Sequence, residues 1–344
     1  MSRLNIIIAI ILTSFVSCDK DKITISNNVS ETFFVDNKNA SMRVLVEGNT
    51  SSKTIILTIH GGPGAFSAAF NTDYISHILE PKYAMAYWDQ RNAGASQGGN
   101  NISELKFENV VEDLKKVIQV LHYRYGTNTK IFIMSHSYGA SIASSFLTKL
   151  DNQEMIDGWI NIGGCNDNKK LPQFILEHLS KTSKEQIAIG NKVPEWEDIQ
   201  KFCSNCDVSD PNQKDLLNDQ AKKAEKLMGV ESDLVKLFMK YAIKDEWPIM
   251  GIMANVQSNG NYSPSVSFTD EELARIKTPA LFMYGDYDFT CPYLLGEYTI
   301  SRLSTPETEK EMCIVKNAGH ALWEHREVLF CDKVIDFVDK YKSK

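Results

Sequence analysis

A chain of 344 residues, 43% hydrophobic and 24% charged, has ordinary globular composition and enough length for one large domain or a core with an insertion. Its formal net charge of −7 argues against nucleic acid as the main partner. The sequence carries no internal repeat and no long low-complexity tract.

The first residues read as an export signal. Arg3 supplies the positive start, and the apolar run from Leu4 to Val16 is too short to span a bilayer but suits a signal peptide. The run closes on Ser17 and Cys18 and is followed at once by Asp19 and Lys20. Residues 1–17 therefore resemble a bacterial lipoprotein signal, with Cys18 as the lipidated first residue. The expected location is the periplasmic face or the surface of a bacterium, with the membrane reached through the lipid on Cys18. An ordinary secretory signal is the alternative, and mass spectrometry of the mature amino terminus separates the two. Export permits disulfides among the remaining cysteines. Cys203 and Cys206 have the spacing of a redox or metal pair, but no second pair completes a zinc site. They read as a loop pair, with or without a bridge.

Short apolar runs then alternate with helical periods, which predicts an α/β fold: a mostly parallel sheet with helices on both faces. The expected strands are 42–48, 54–60, 83–89, 130–135, 158–163, 279–285 and 311–316, most of them apolar throughout, as strands buried on both faces should be. Between the third and fourth, Val110, Val111, Leu114, Val117, Ile118, Leu121 and Tyr125 mark one helical stripe. A last helix over 322–341 repeats the pattern with Val328, Leu329, Val334, Ile335 and Val338. The rhythm breaks between Cys165 and Thr278, where helical patterns at 216–228 and 233–243 sit in polar surroundings. So long a connection predicts a mostly helical cap over 165–277, inserted late in a core formed by 18–164 and 278–344. Placed at the carboxyl ends of the strands, where ligands bind in such folds, the insertion would act as a lid.

Three loops at that edge carry chemistry. Behind the strand 54–59 comes HGGPG (60–64), a poor way to build regular structure but a good way to bring bare backbone N–H groups close to a ligand. Behind the strand 130–135 comes SHSYGAS (135–141), with Ser137 between the small residues Ser135 and Gly139 and a helix following. That is a strand–turn–helix elbow holding Ser137 at the positive end of a helix, with Ser135 where a glycine is usual. A serine hydroxyl needs a base. His320, in the loop after 311–316, stands at the same sheet edge, whereas His325 falls inside the last helix and His136 should point elsewhere in the turn. Asp288, in YGDYDFTCP (284–292), is placed to orient His320, with Asp286 as the backup and turn capping as its plainer role. The order Ser137, Asp288, His320 is that of an α/β-hydrolase triad. An oxyanion on Ser137 needs two N–H donors, and Tyr138 and Gly62 supply them.

HGGPG followed by WDQRNAGAS (88–96) and then the serine elbow resembles the prolyl aminopeptidase (proline iminopeptidase) branch of the α/β-hydrolases. Asp89, Gln90, Arg91, Gly94 and Ser96 match that family's second motif, and Asn92 replaces a glycine, a change that suits positive φ. The resemblance covers the core, about 31–165 and 278–341. It implies a serine hydrolase working through an acyl-enzyme, most of all an aminopeptidase on short peptides. In that family, lid glutamates beside tryptophan bind the substrate's free amino terminus. Here Glu195 and Glu197 flank Trp196, and Glu246 precedes Trp247. These are the candidate amine-binding residues, or else solvated helix ends beside a core tryptophan. A carboxylesterase or amidase of small substrates is the alternative. From another class, a catalytically inactive binding lipoprotein is the less economical choice, because every triad position is intact. No phosphate loop, dinucleotide fingerprint or metal cluster is present in the sequence, so no cofactor is expected.

Overall fold

The computed structural model describes residues 28–96, 102–231 and 266–343. The signal segment, Cys18, Glu246 and the helix expected over 233–243 lie outside the described residues.

Among the described residues, eight strands form one sheet: β1 (Asn28–Asn37), β2 (Ala40–Asn49), β3 (Thr54–Ile59), β4 (Ala84–Trp88), β5 (Lys130–His136), β6 (Gly158–Ile162), β7 (Ala280–Gly285) and β8 (Lys310–Val315). Their spatial order is β1-β2-β4-β3-β5-β6-β7-β8. β1 pairs with β2, and β2 with β4, antiparallel, and every later pairing is parallel. Strands β3, β4, β6 and β7 are buried along their whole length, as their unbroken apolar runs require.

β1 is the strand that the sequence pattern does not show. Its side chains alternate between exposed and half-buried, and its residues are largely polar. It is held by a two-residue hairpin in which Lys38 and Asn39 both have positive φ, 47° and 63°.

Helices cover both faces of the sheet. On one lie α1 (Asp73–Leu79) and the final helix, Glu327–Tyr341, whose Ile75, Leu79, Phe330, Val334 and Val338 share a core with Ile56, Phe132 and Ile160. On the other, α2 (Phe107–Tyr125) and α3 (Gly139–Leu147) bury Val110, Leu114, Ile118, Ile142 and Phe146 against Leu57, Ile131 and Ile133. The expected last helix is two: Leu322–His325 and Glu327–Tyr341 are separated by Arg326, at φ −141° and ψ 53°. The break turns the face, so Val328 and Leu329 are exposed while Phe330 and Cys331 are buried.

After the short helix α4 (Leu150–Gln153) and strand β6, the chain makes α5 (Leu171–Ala188), α6 (Val193–Cys203) and α7 (Pro211–Met228) before returning to the sheet. α7 starts on an Asp210 side chain that accepts the Asn212 N–H, with Pro211 in the first turn, and stops at Gly229 with φ 69°. These helices share their own core of Ile175, Leu179, Trp196, Ile199, Leu217 and Ala221. Phe289, the neighbour of Asp288, is buried in that same core. The insertion is thus bolted to the loop that carries Asp288.

The second motif has a structural task. Arg91 is 1% exposed and forks onto Asp113 of α2, with Nε 2.5 Å from Oδ2 and Nη2 2.7 Å from Oδ1. Burial pushes the Asp113 carboxyl up, against the pull of Arg91. Asn92 takes φ 57°, as its substitution for glycine anticipates. Asp113→Asn leaves a buried guanidinium without its counter-charge and should cost about 3–5 kcal/mol of unfolding free energy. Urea denaturation measures this; a loss near zero would show that Arg91 finds another partner.

Candidate active site

The carboxyl ends of β3, β5, β6, β7 and β8 bring the expected residues together. At the end of β5, Ser137 adopts φ 54°, a left-handed conformation that costs a non-glycine residue about 1–3 kcal/mol and persists only where the surroundings impose it. Its N–H donates to Ile162 O at 3.2 Å, and its carbonyl accepts the Cys165 N–H at 2.9 Å and the Ala140 N–H at 3.0 Å. Gly139 follows from crowding, since a Cβ there would lie 2.2 Å from Ile59 O. Ser135 replaces the usual glycine without loss because its Oγ is buried and accepts the Trp159 Nε1–H at 2.8 Å.

Asp288 is fully buried and receives the His320 Nδ1–H at 2.9 Å. Its other oxygen accepts the Cys291 N–H at 2.7 Å, so the carboxylate is held from two sides. Burial alone would lower the His320 pKa; the Asp288 charge and hydrogen bond, helped by Glu225, reverse this and raise it. Asp286 has the plainer role, accepting the Ala318 N–H at 3.4 Å beside Lys316. His136 does not point away. Its ring lies 4.6 Å from the His320 ring, its Nε2 bonds His320 O at 3.2 Å, and burial holds it well below the ordinary histidine range. His325 is a support, its Nδ1 accepting the Gly319 N–H at 3.5 Å.

The HGGPG loop meets the elbow directly. A Cβ on Gly61 would stand 2.7 Å from Ser137 Cβ, so only bare backbone fits there. The next residue, Gly62, is exposed with φ 119°, and no acceptor for its N–H occurs among the described residues. Tyr138 opens α3 with its ring buried against Phe107. Two thiols that sequence reasoning passed over complete the floor. Cys165 and Cys291 are buried against each other, and the Ser137 side chain sits against Cys291.

Two of the three candidate amine-binding glutamates lie among the described residues. Glu195 and Glu197 are exposed on α6, and Trp196 between them is buried in the core of the insertion. They are solvated helix positions beside a core tryptophan. Among the described residues, the insertion brings the Glu225 carboxylate of α7, 6% exposed, to the site. Its Oε1 accepts the Thr290 N–H at 3.0 Å and the Thr290 hydroxyl at 2.8 Å, while Oε2 has no partner among the described residues. Burial and the Asp288 charge push Glu225 up to about 7, against the opposing pull of His320. Within AKKAEKLM (221–228) it carries no local sign of burial beyond the alanines around it.

A family model described as serine aminopeptidase, S33, matches residues 50–230. The chain belongs to that family. It is a serine hydrolase, an aminopeptidase or esterase, with the α/β-hydrolase fold. A proline iminopeptidase of Saccharolobus solfataricus is 22% identical over 300 residues, 84% of this chain and 86% of that protein. The crystal structure of a proline iminopeptidase-related protein from Thermus thermophilus superposes with a TM-score of 0.59 at 19% identity, covering 92% of this chain and 99% of the other. A serine hydrolase from Cycloclasticus zankles gives 0.57 at 17%, covering 90% and 98%. At these identities the two solved structures speak to the fold.

Removing the Asp288 charge should reverse the sign of the His320 shift, because the burial that lowers it remains. NMR titration should find His320 above the ordinary value of about 6.5 in the wild type and below it in Asp288→Asn. Equal values in the two proteins would mean that Asp288 does not set the charge on His320.

Proposed function

We propose that the chain removes amino-terminal residues from short peptides through an acyl-enzyme on Ser137. His320 takes the serine proton through Nε2, with Asp288 fixing its tautomer and stabilising the imidazolium that forms. The tetrahedral oxygen is received by the N–H groups of Gly62 and Tyr138. His320 then returns the proton to the leaving amine, and water repeats the sequence to release the acid. The Asp288–His320 hydrogen bond, at the sheet edge that also carries the left-handed Ser137, supports this assignment.

The aminopeptidase side rests on one observation, the buried Glu225 with an oxygen to spare. A substrate ammonium entering a dry site needs a carboxylate partner, and Glu225 offers one beside His320. An ester without a free amine has no use for such a group.

Two outcomes test this function. A fluorophosphonate should label Ser137, and Ser137→Ala should abolish the label and lower turnover by several orders of magnitude. Label on a different serine would refute the nucleophile. Prolyl or alanyl arylamides with a free amine should be cleaved, and their N-acetyl forms poorly. Because Glu225 must be ionised to hold the ammonium, kcat/KM for free-amine substrates should fall as pH drops through about 7. Glu225→Gln should raise KM for those substrates at least tenfold, the order expected when a charge-assisted contact of about 1.5–3 kcal/mol is lost. It should leave turnover of a nitrophenyl acetate little changed. Equal cleavage of free and acetylated arylamides would place the enzyme among the esterases.

A further inference from the structure

The HGGPG and WDQRNAGAS motifs meet through their polar atoms. His60 is 1% exposed and Gln90 is fully buried. The Gln90 backbone N–H donates to His60 Nε2 at 3.1 Å, and the Gln90 side-chain amide donates to His60 O at 2.8 Å. One residue of the second motif therefore grips His60 by both ring and backbone.

The first of these bonds fixes the tautomer. Nε2 accepts a hydrogen bond from the amide N–H and so carries no proton of its own, which places the ring proton on Nδ1. Nδ1 lies 2.9 Å from Gly61 O and donates to it. Burial lowers the His60 pKa, although the nearby Asp89 charge opposes this, and the ring stays neutral. The Gly61 carbonyl also accepts the Ala65 N–H at 3.4 Å, closing the glycine turn.

Gly61 C=O and Gly62 N–H belong to the same planar trans peptide, in which carbonyl and N–H point in opposite directions. Holding the carbonyl therefore aims the N–H. We infer that His60 is a positioning residue for the oxyanion site: its Nδ1–H, set by Gln90, locks the Gly61–Gly62 peptide so that the Gly62 N–H faces the space above Ser137. Without that lock, only the longer Ala65 N–H bond restrains the plane between two conformationally permissive glycines. The pairing of the two motifs in one chain then has a mechanical reason, since the second holds the residue that orients the first. The inference rests on the serine-hydrolase assignment for Ser137 and Gly62 made above.

The conservative variants separate positioning from packing. In His60→Asn the side-chain amide stands near the place of Nδ1 and can still donate to Gly61 O. In His60→Gln the amide stands near the place of Nε2 and cannot. Both replace the buried ring with an acyclic amide, so both should lower the melting temperature to a similar extent. Fluorophosphonate labelling of Ser137 in the wild type comes first; its absence would defeat the functional assignment itself. With labelling established, His60→Gln should lose roughly a hundredfold in kcat at nearly constant KM, the size of effect that follows loss of one oxyanion donor. His60→Asn should recover most of that loss. Affinity for a boronic acid that mimics the tetrahedral state should track kcat across the series. Equal kcat losses in the two variants, or a loss confined to KM, would overturn the positioning role. Nitrogen-resolved NMR of the wild type gives a second reading that needs no variant to fold. Nδ1 of the neutral His60 ring should be the protonated nitrogen at neutral pH, and a neutral ring with its proton on Nε2 would overturn the inference.

Discussion

A carboxylate that is fully buried and a histidine ring facing it are the interaction around which the site is organised. Asp288 is buried away from solvent, and the protein supplies the Cys291 N–H to one oxygen and the His320 ring to the other. The charge in turn keeps His320 basic in surroundings that would otherwise neutralise it. The rest of the neighbourhood follows from the need to hold this pair still. The His136 ring packs against the His320 ring, and Phe289 sinks the Asp288 loop into the core of the insertion. Glu225, reaching the same loop through Thr290, ties the electrostatics of α7 to those of the pair.

The strand ends differ in what they contribute. β5 supplies a strained backbone that projects a side chain, whereas β3 supplies a backbone stripped of side chains. β7 and β8 supply the charge and the base. Each loop is short on the sheet side and rigidly paired, so the reacting groups sit on scaffold rather than on mobile chain. The insertion between β6 and β7 adds a second carboxylate, Glu225, whose charge acts on the Asp288–His320 pair. A serine hydrolase whose cap carries such a group can select for a cation at the substrate's end.

Much of this was legible in the residues. Strands buried on both faces announce themselves as apolar runs, and the turn chemistry of SHSYGAS and HGGPG is local, so Ser137, His320 and Asp288 could be placed by their position after strands. Asp288 was separable from Asp286 only by its reach into the loop, and the structure gives Asp286 the capping role. What could not be read is what depends on distant partners. β1 is polar because it lies at the edge of the sheet, and only its pairing with β2 makes it a strand. Glu225 looks like any charged residue on a solvated helix until Thr290 covers it, whereas Glu195 and Glu197 flank Trp196, whose burial in the core of the insertion leaves them exposed on α6. The grip of Gln90 on His60 joins residues thirty positions apart and leaves no mark in either motif alone.

The proposed function requires Ser137, the Asp288–His320 pair, the Gly62 N–H and Glu225 to converge on one substrate. A crystal structure of the protein with prolyl boronic acid tests it most directly. A boron–Ser137 Oγ bond is predicted, with one boronate oxygen within hydrogen-bond distance of the Gly62 and Tyr138 N–H groups and the free amine at Glu225 Oε2. An adduct on another residue, or a boronate oxygen turned to solvent with the amine away from Glu225, would contradict it.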